Sequence, residues 1–216
     1  MEIQEAREII AAYGKEIYDR HLTDSSGANI SIRIGDNIVM TPTKAGARYH
    51  WNINPNQILV LDMEGNVLDG DGKLSREAKV HYALLREFYP QATCVMHTHA
   101  RNVLVFCAAE KAMPPVLDCT SPFGVIEQCA HEVTATQGLA DTVLEKIRAK
   151  GGVSKAKAAA CMAPRHGLFV LARDIYDAFE VTERMDTNAY CILMAQKLGV
   201  IQPLEGQPVG YAQYDK

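Results

Sequence analysis

The stretch Cys94-Val95-Met96-His97-Thr98-His99-Ala100-Arg101-Asn102 decides how the rest of the chain is read. Cys94, Val95 and Met96 form an apolar run shortly after Pro90, the pattern of a buried strand entering a turn. His97 and His99 are two residues apart, and on an extended backbone residues i and i+2 point to the same side of a sheet. Two imidazoles on one face, at the end of a buried strand, can close on one metal ion. The alternative is that one packs in the core while the other is solvated, and the surrounding residues decide between the two.

Upstream, Gly70-Asp71-Gly72-Lys73-Leu74-Ser75 leads into a helix predicted from about Arg76 to Phe88 and ended by Pro90. Ser75 reads as its N-cap, which places Glu77 in the first turn, where the helix dipole favours a carboxylate. Glu77 and His81 are i and i+4 neighbours on one helix face. Further upstream, residues 2–20 place Ile3, Ala6, Ile9, Ile10, Tyr13 and Ile17 at helical spacing, ended by the turn formers His21 to Gly27. Asn29 to Ile34 and Asn37 to Met40, joined by Gly35-Asp36, predict a hairpin. Thr41-Pro42-Thr43-Lys44-Ala45-Gly46 follows; such a loop either offers hydroxyls, backbone donors and a cation to an anion or simply connects. Gln57 to Leu61 and Asn66 to Leu68 read as strands.

Downstream, Asn102 to Ala109 reads as a helix, Val116 to Thr120 as a strand, and Ala135 to Ala149 as a helix ending in Lys150-Gly151-Gly152. Lys155 to Ala160 is rich in Ala and Lys and reads as an exposed extension or loop insert. Ala159 to Met162 and Leu168 to Leu171 are apolar runs around Ala163-Pro164-Arg165-His166-Gly167. Asp174 caps a long helix to about Lys197, and the tail 202–216 carries Pro203, Pro208 and Gly210 and is predicted to be irregular. With no internal repeat and no Pro/Gly/Ser-rich linker, residues 1–216 are expected to form a single domain.

Composition narrows the function. The 48% hydrophobic and 22% charged fractions are those of an ordinary soluble protein. A net charge of −4 argues against a general nucleic-acid binder. The acidic start Met1 to Glu5 carries no long apolar run, so no secretory signal is expected. No stretch approaches the roughly 20 apolar residues of a membrane span, so no membrane partner is expected. The six cysteines form no Cys-x-x-Cys pair and read as reduced core thiols in a cytoplasmic protein.

His166, at the end of one apolar run and beside Gly167, is the candidate third ligand. Three neutral imidazoles and an open position describe a catalytic divalent site, as with zinc. Such an ion polarises a carbonyl and stabilises an enolate or enediolate. That chemistry also needs a proton carrier, and Glu77 is the best-placed acid.

The set Gly27-x-Asn29-x-Ser31, Thr41-Pro42-Thr43, Ser75-x-Glu77-x-x-x-His81, His97-Thr98-His99 and His166-Gly167-Leu168 resembles the class II aldolase/adducin family. The resemblance runs from about residue 5 to 197. It implies a three-layer α/β/α fold with a central, mostly antiparallel sheet, and a homotetramer with sites at subunit interfaces. By position it assigns His97, His99 and His166 to one divalent ion per chain, Zn2+ first with Mn2+, Co2+ or Fe2+ as alternatives. It assigns Glu77 to acid–base catalysis and Asn29, Thr43 and Ser75 to the substrate phosphate. The implied reaction is cleavage of a small phosphorylated ketose, such as L-fuculose 1-phosphate, to dihydroxyacetone phosphate and an aldehyde through an enediolate. Decarboxylation of a 3-keto sugar-acid phosphate, dehydration or 4-epimerisation of a pentulose phosphate, and a non-catalytic adducin-like binding module are the alternatives.

Three positions depart from the family pattern. Thr43-Lys44 stands where its fuculose aldolases carry Thr-Gly, and Ser75-Arg76-Glu77 where they carry Ser-Ser-Glu. Lys44 and Arg76 either add cationic contacts to the substrate or face solvent. Cys119, with Asp118 beside it, stands where a proton-donating tyrosine is expected, and Tyr211 or Tyr214 is the candidate for a tail tyrosine used across an interface.

Overall fold

The first helix, α1 (Ile3–Asp19), buries Ala6, Ile10, Gly14 and Ile17, the single stripe of a helix packed on one side. The computed structural model describes residues 1–199. The hairpin follows as β1 (Asn29–Ile34) and β2 (Asn37–Met40), with Gly35 at φ +57°, a left-handed backbone that glycine adopts freely. A short helix α2 (Ala45–Tyr49) comes next, then β3 (Leu59–Leu61) and β4 (Val67–Asp69). The chain continues through α3 (Ala78–Phe88), β5 (Cys94–Thr98), α4 (Arg101–Ala109) and α5 (Gln137–Ala149). It closes with β6 (Ala158–Ala163), β7 (Gly167–Ala172) and α6 (Ile175–Ala195).

The strands form one seven-stranded sheet in the order β4-β3-β2-β1-β5-β7-β6, antiparallel at every neighbouring pair. Alternation splits the apolar residues between two faces. Ile30, Ile32, Cys94, Met96, Leu168 and Val170 pack with Ile10, Val103 and Val181 of α1, α4 and α6. Ile38, Met40, Val95, Phe169 and Leu171 pack on the other side with Leu84, Leu85, Val143 and Ile147 of α3 and α5. The result is the expected three-layer α/β/α arrangement around an antiparallel sheet.

Four local expectations are corrected. Ala158–Ala163 is a fully buried strand, where an exposed extension was expected from Lys155 to Ala160; pairing with β7 along its whole length overrides the weak strand preference of alanine. Val116 to Thr120 is no strand: Asp118–Phe123 is a 3-10 helix, with Met113 and Ile126 bridged across it. Ala45 and Gly46, expected at the end of a loop, open the short helix Ala45–Tyr49. Helix α3 starts at Ala78, so Glu77 is its N-cap residue and lies before the first turn. The cap of α6 is as expected, with Asp174 accepting from the Asp177 amide. The cysteines among the described residues are free thiols, buried except for the half-buried Cys119 and Cys191. Among the described residues no helix is long and apolar enough to cross a membrane. The tail 202–216, with Tyr211 and Tyr214, lies outside the described residues.

Register positions the site. Asn29 pairs with His97, and His97 with Phe169. The start of β1, the end of β5 and the start of β7 therefore meet at one end of the sheet.

Candidate active site

His97 is fully buried and its ring stacks on Phe169, with centroids 4.2 Å apart and planes 18° from parallel. Its Nδ1 lies 2.9 Å from the Leu168 carbonyl oxygen. A carbonyl only accepts, so Nδ1 carries the proton and Nε2 keeps its lone pair. His99 follows the end of β5, with Nδ1 3.3 Å from Asp24 Oδ2. The same logic leaves a lone pair on His99 Nε2. Asp24 is itself held by the amides of Ser26 and Gly27, at 2.7 and 2.6 Å. This is a carboxylate behind an imidazole, the arrangement that orients metal-binding histidines.

His166 comes from the tight turn between β6 and β7, where Arg165 is at φ +57° and the His166 amide donates to Ala163 O at 3.1 Å. Gly167 is required beside it: a Cβ there would lie 2.6 Å from Thr98 O and 2.9 Å from His97 Cε1. One ligand atom from each of His97, His99 and His166 falls within 4.8 Å of the others. His97 Nε2, His99 Nε2 and His166 Nδ1 are buried without a hydrogen-bond partner.

Glu77 faces this cluster. Its Oε1 is 2.8 Å from His166 Nε2 and its Oε2 3.3 Å from His97 Nε2, while Asn29 Nδ2 donates to Oε2 at 2.9 Å. The Glu77 side chain does not cap α3; its backbone amide bonds Ser75 Oγ at 3.3 Å instead. Burial raises the carboxyl, but the two imidazoles and the Asn29 amide outweigh it, and the net shift is well below the usual carboxylate range. Burial pushes His97 down to about 3 against the pull of Glu77. A neutral imidazole thus points a lone pair at an ionised oxygen, with no hydrogen bond between them. Three imidazoles, each with one ring nitrogen within 4.8 Å of the others, beside a carboxylate, and with His97 Nε2 and His99 Nε2 left without a hydrogen-bond partner, fit a divalent cation.

In front of the cluster lies a cavity of about 240 Å³. Asn29, Thr43, Lys44, Ser75, Arg76, Glu77, His99 and His166 line it, together with Gly27, Thr134 and Ala135. His97 sits behind it, in the core. Lys44 and Arg76 are exposed at the rim, and neither has an ion pair among the described residues. Lys44 has φ +61° and ψ +26°, a left-handed backbone. Asp118 and Cys119 do not line the cavity. Sequence reasoning missed Asp24, Thr134 and Ala135. Only Asp24 has a local signal, the Asp-x-Ser-Gly turn, and its partner His99 is 75 residues away.

Residues 8–193 match the family model described as the class II aldolase and adducin N-terminal domain. The chain belongs to the class II aldolase and adducin family. Among relatives in this family, the 5-deoxy-D-ribulose 1-phosphate aldolase of Bacillus thuringiensis serovar kurstaki is 28% identical over 200 residues, 92% of this chain and 89% of that one. The 3-oxo-tetronate 4-phosphate decarboxylase of Haemophilus influenzae is 26% identical over 204 residues, 92% of this chain and 93% of that one. Among solved structures, an L-fuculose 1-phosphate aldolase superposes with a TM-score of 0.80 at 20% identity, covering 93% of this chain and 91% of its own. That likeness is one of fold.

Proposed function

We propose that this class II aldolase-family protein is a divalent-metal-dependent lyase acting on a small phosphorylated ketose, releasing dihydroxyacetone phosphate and an aldehyde. The observation that carries the reading is the convergence of one ring nitrogen from each of three histidines, beside an ionised Glu77, at a cavity whose rim carries Lys44 and Arg76. His97, His99 and His166 would hold the ion, Zn2+ first. When bound, it supplies Lewis-acid stabilisation for charge developing on the substrate carbonyl.

The protein's own groups do the rest. Glu77 carries the proton to and from the carbon at which the bond is cut. Thr43 and Ser75 offer hydroxyls and Asn29 an amide to the substrate phosphate, and Lys44 and Arg76 add charge at the mouth. The active form is proposed to be a homotetramer. Decarboxylation of a keto-acid phosphate is the second reading, supported by the near full-length match to the decarboxylase of Haemophilus influenzae. Cys119 at the place expected for a proton-donating tyrosine supports it too.

The test is a panel of ketose phosphates and keto-acid phosphates offered to the zinc-loaded protein. Release of an aldehyde with dihydroxyacetone phosphate supports the first reading, and release of CO2 the second. No turnover of any member overturns both.

A further inference from the structure

His81 belongs to none of the groups above, yet it is fully buried in the first turns of α3 and both ring nitrogens are engaged. Its Nδ1 lies 2.6 Å from Ser31 Oγ, and its Nε2 contacts Asn29 Oδ1 closely. Ser31 is buried as well. Asn29, in turn, donates from Nδ2 to Glu77 Oε2 at 2.9 Å.

Hydrogen-bond direction along this chain is settled by its last member. A carboxylate oxygen only accepts, so the Asn29 amide must present Nδ2 to Glu77 and Oδ1 to His81. An amide oxygen also only accepts, so His81 must carry its proton on Nε2. Its Nδ1 is then an acceptor, and the Ser31 hydroxyl donates to it. The opposite amide orientation would face Asn29 Oδ1 against the Glu77 carboxylate and leave two buried acceptors opposed.

We propose that His81 is a positioning residue: as the Nε2–H tautomer it locks the Asn29 amide, and through that amide it fixes the rotation of the Glu77 carboxylate between His97 and His166. Burial, the main cause, pushes the His81 ring down to about 4, which is consistent with a neutral donor. The inference deepens the proposed role of Glu77, but its geometry stands on the hydrogen bonds alone. A ring that merely filled the core would need no fixed tautomer and no amide partner.

The first measurement is the 15N-histidine NMR spectrum of the zinc-loaded protein, assigned with His81→Gln. His81 is expected to show a protonated Nε2 and a hydrogen-bonded, unprotonated Nδ1. A proton on Nδ1, or an imidazolium, overturns the proposal, and this readout needs no variant to fold. The second is a competition titration with zinc alone. His81→Leu, which cannot hold Asn29, should weaken zinc binding about tenfold by freeing the Glu77 carboxylate that faces His97 and His166, while His81→Gln keeps a donor and stays within about threefold of the parent. A His81→Leu protein with a lower melting temperature but unchanged zinc affinity would show a packing role only and overturn the proposal. Failure of the parent protein to bind zinc would overturn the metal-dependent lyase reading instead, with the tautomer still deciding the role of His81.

Discussion

Gly27 lies so close to His99 that a Cβ on it would sit 2.1 Å from the ring Nδ1. That nitrogen is also the one facing Asp24. Gly27→Ala must therefore push the ring off its orienting carboxylate. The expected outcome is a zinc affinity lower by about tenfold to a hundredfold, the usual effect of losing an outer-shell partner. Competition titration measures it, and an unchanged affinity would remove Asp24 and Gly27 from the account.

Metal content tests the ligand set directly. The purified protein should carry about one divalent ion per chain. His97→Ala and His166→Ala should each lose it, as read by elemental analysis. A full complement in both variants would refute the three-histidine centre.

Glu77→Gln should keep the fold and lose about a hundred- to ten-thousand-fold in turnover, because an amide cannot exchange the proton. If Glu77 only helped to start α3, the change would cost at most about 1 kcal/mol of stability and leave the rate intact. Steady-state kinetics beside a melting curve separates the two outcomes.

Lys44 and Arg76 should act on substrate binding alone. Both are exposed, so each is expected to raise KM for a phosphorylated substrate by about fivefold when replaced, with kcat nearly unchanged. Lys44→Gly also relieves a left-handed backbone and should gain up to about 1 kcal/mol of stability. Inorganic phosphate should compete more weakly in the Lys44→Gly/Arg76→Ser pair. Equal inhibition of parent and variant would place both cations in solvent.

Stability should also report on His81. Its pKa is pushed from 6.5 to about 4 in the folded state, chiefly by burial. Between those values the unfolded chain binds a proton that the folded chain excludes. Its contribution is complete above pH 6.5 and declines as pH falls, by about 1.4 kcal/mol per pH unit and about 3 kcal/mol in all. His97 adds a slope of its own in the metal-free protein, so the useful quantity is the difference between parent and His81→Gln. Urea titrations of the metal-free proteins at several pH values measure that difference, and superimposable profiles would exclude His81 as its source.

What could be read from the sequence follows the range of the interactions involved. The histidines at 97 and 99 are marked by strand periodicity, and α6 by Asp174 and its apolar stripe, because those signals are local. The strand Ala158–Ala163 carries no β-branched residue and exists because β7 pairs with it. Residues 118–123 lie where proline and glycine cut an apolar run short, and a 3-10 turn wins over a strand. Asp24 and His99, or His81 and Asn29, are polar pairs made by β1, β5 and α3 coming together. The spacing in the sequence suggests Glu77 and His81 on one helix face, but Glu77 lies just ahead of α3, and no spacing marks the Asn29 amide between them.

The antiparallel pairing of β1, β5 and β7 has a consequence for how this protein can change over evolutionary time. The three histidines and Gly167 sit on, or directly abut, paired strands, where one altered backbone position disturbs its neighbours across the sheet. Lys44 and Arg76 ride instead on solvent-facing connections beside the same cavity. Replacing them would leave the paired strands that hold the histidines undisturbed. On the proposed function, such a scaffold would be free to acquire a new substrate by drift in two loops, with its reactive chemistry inherited intact.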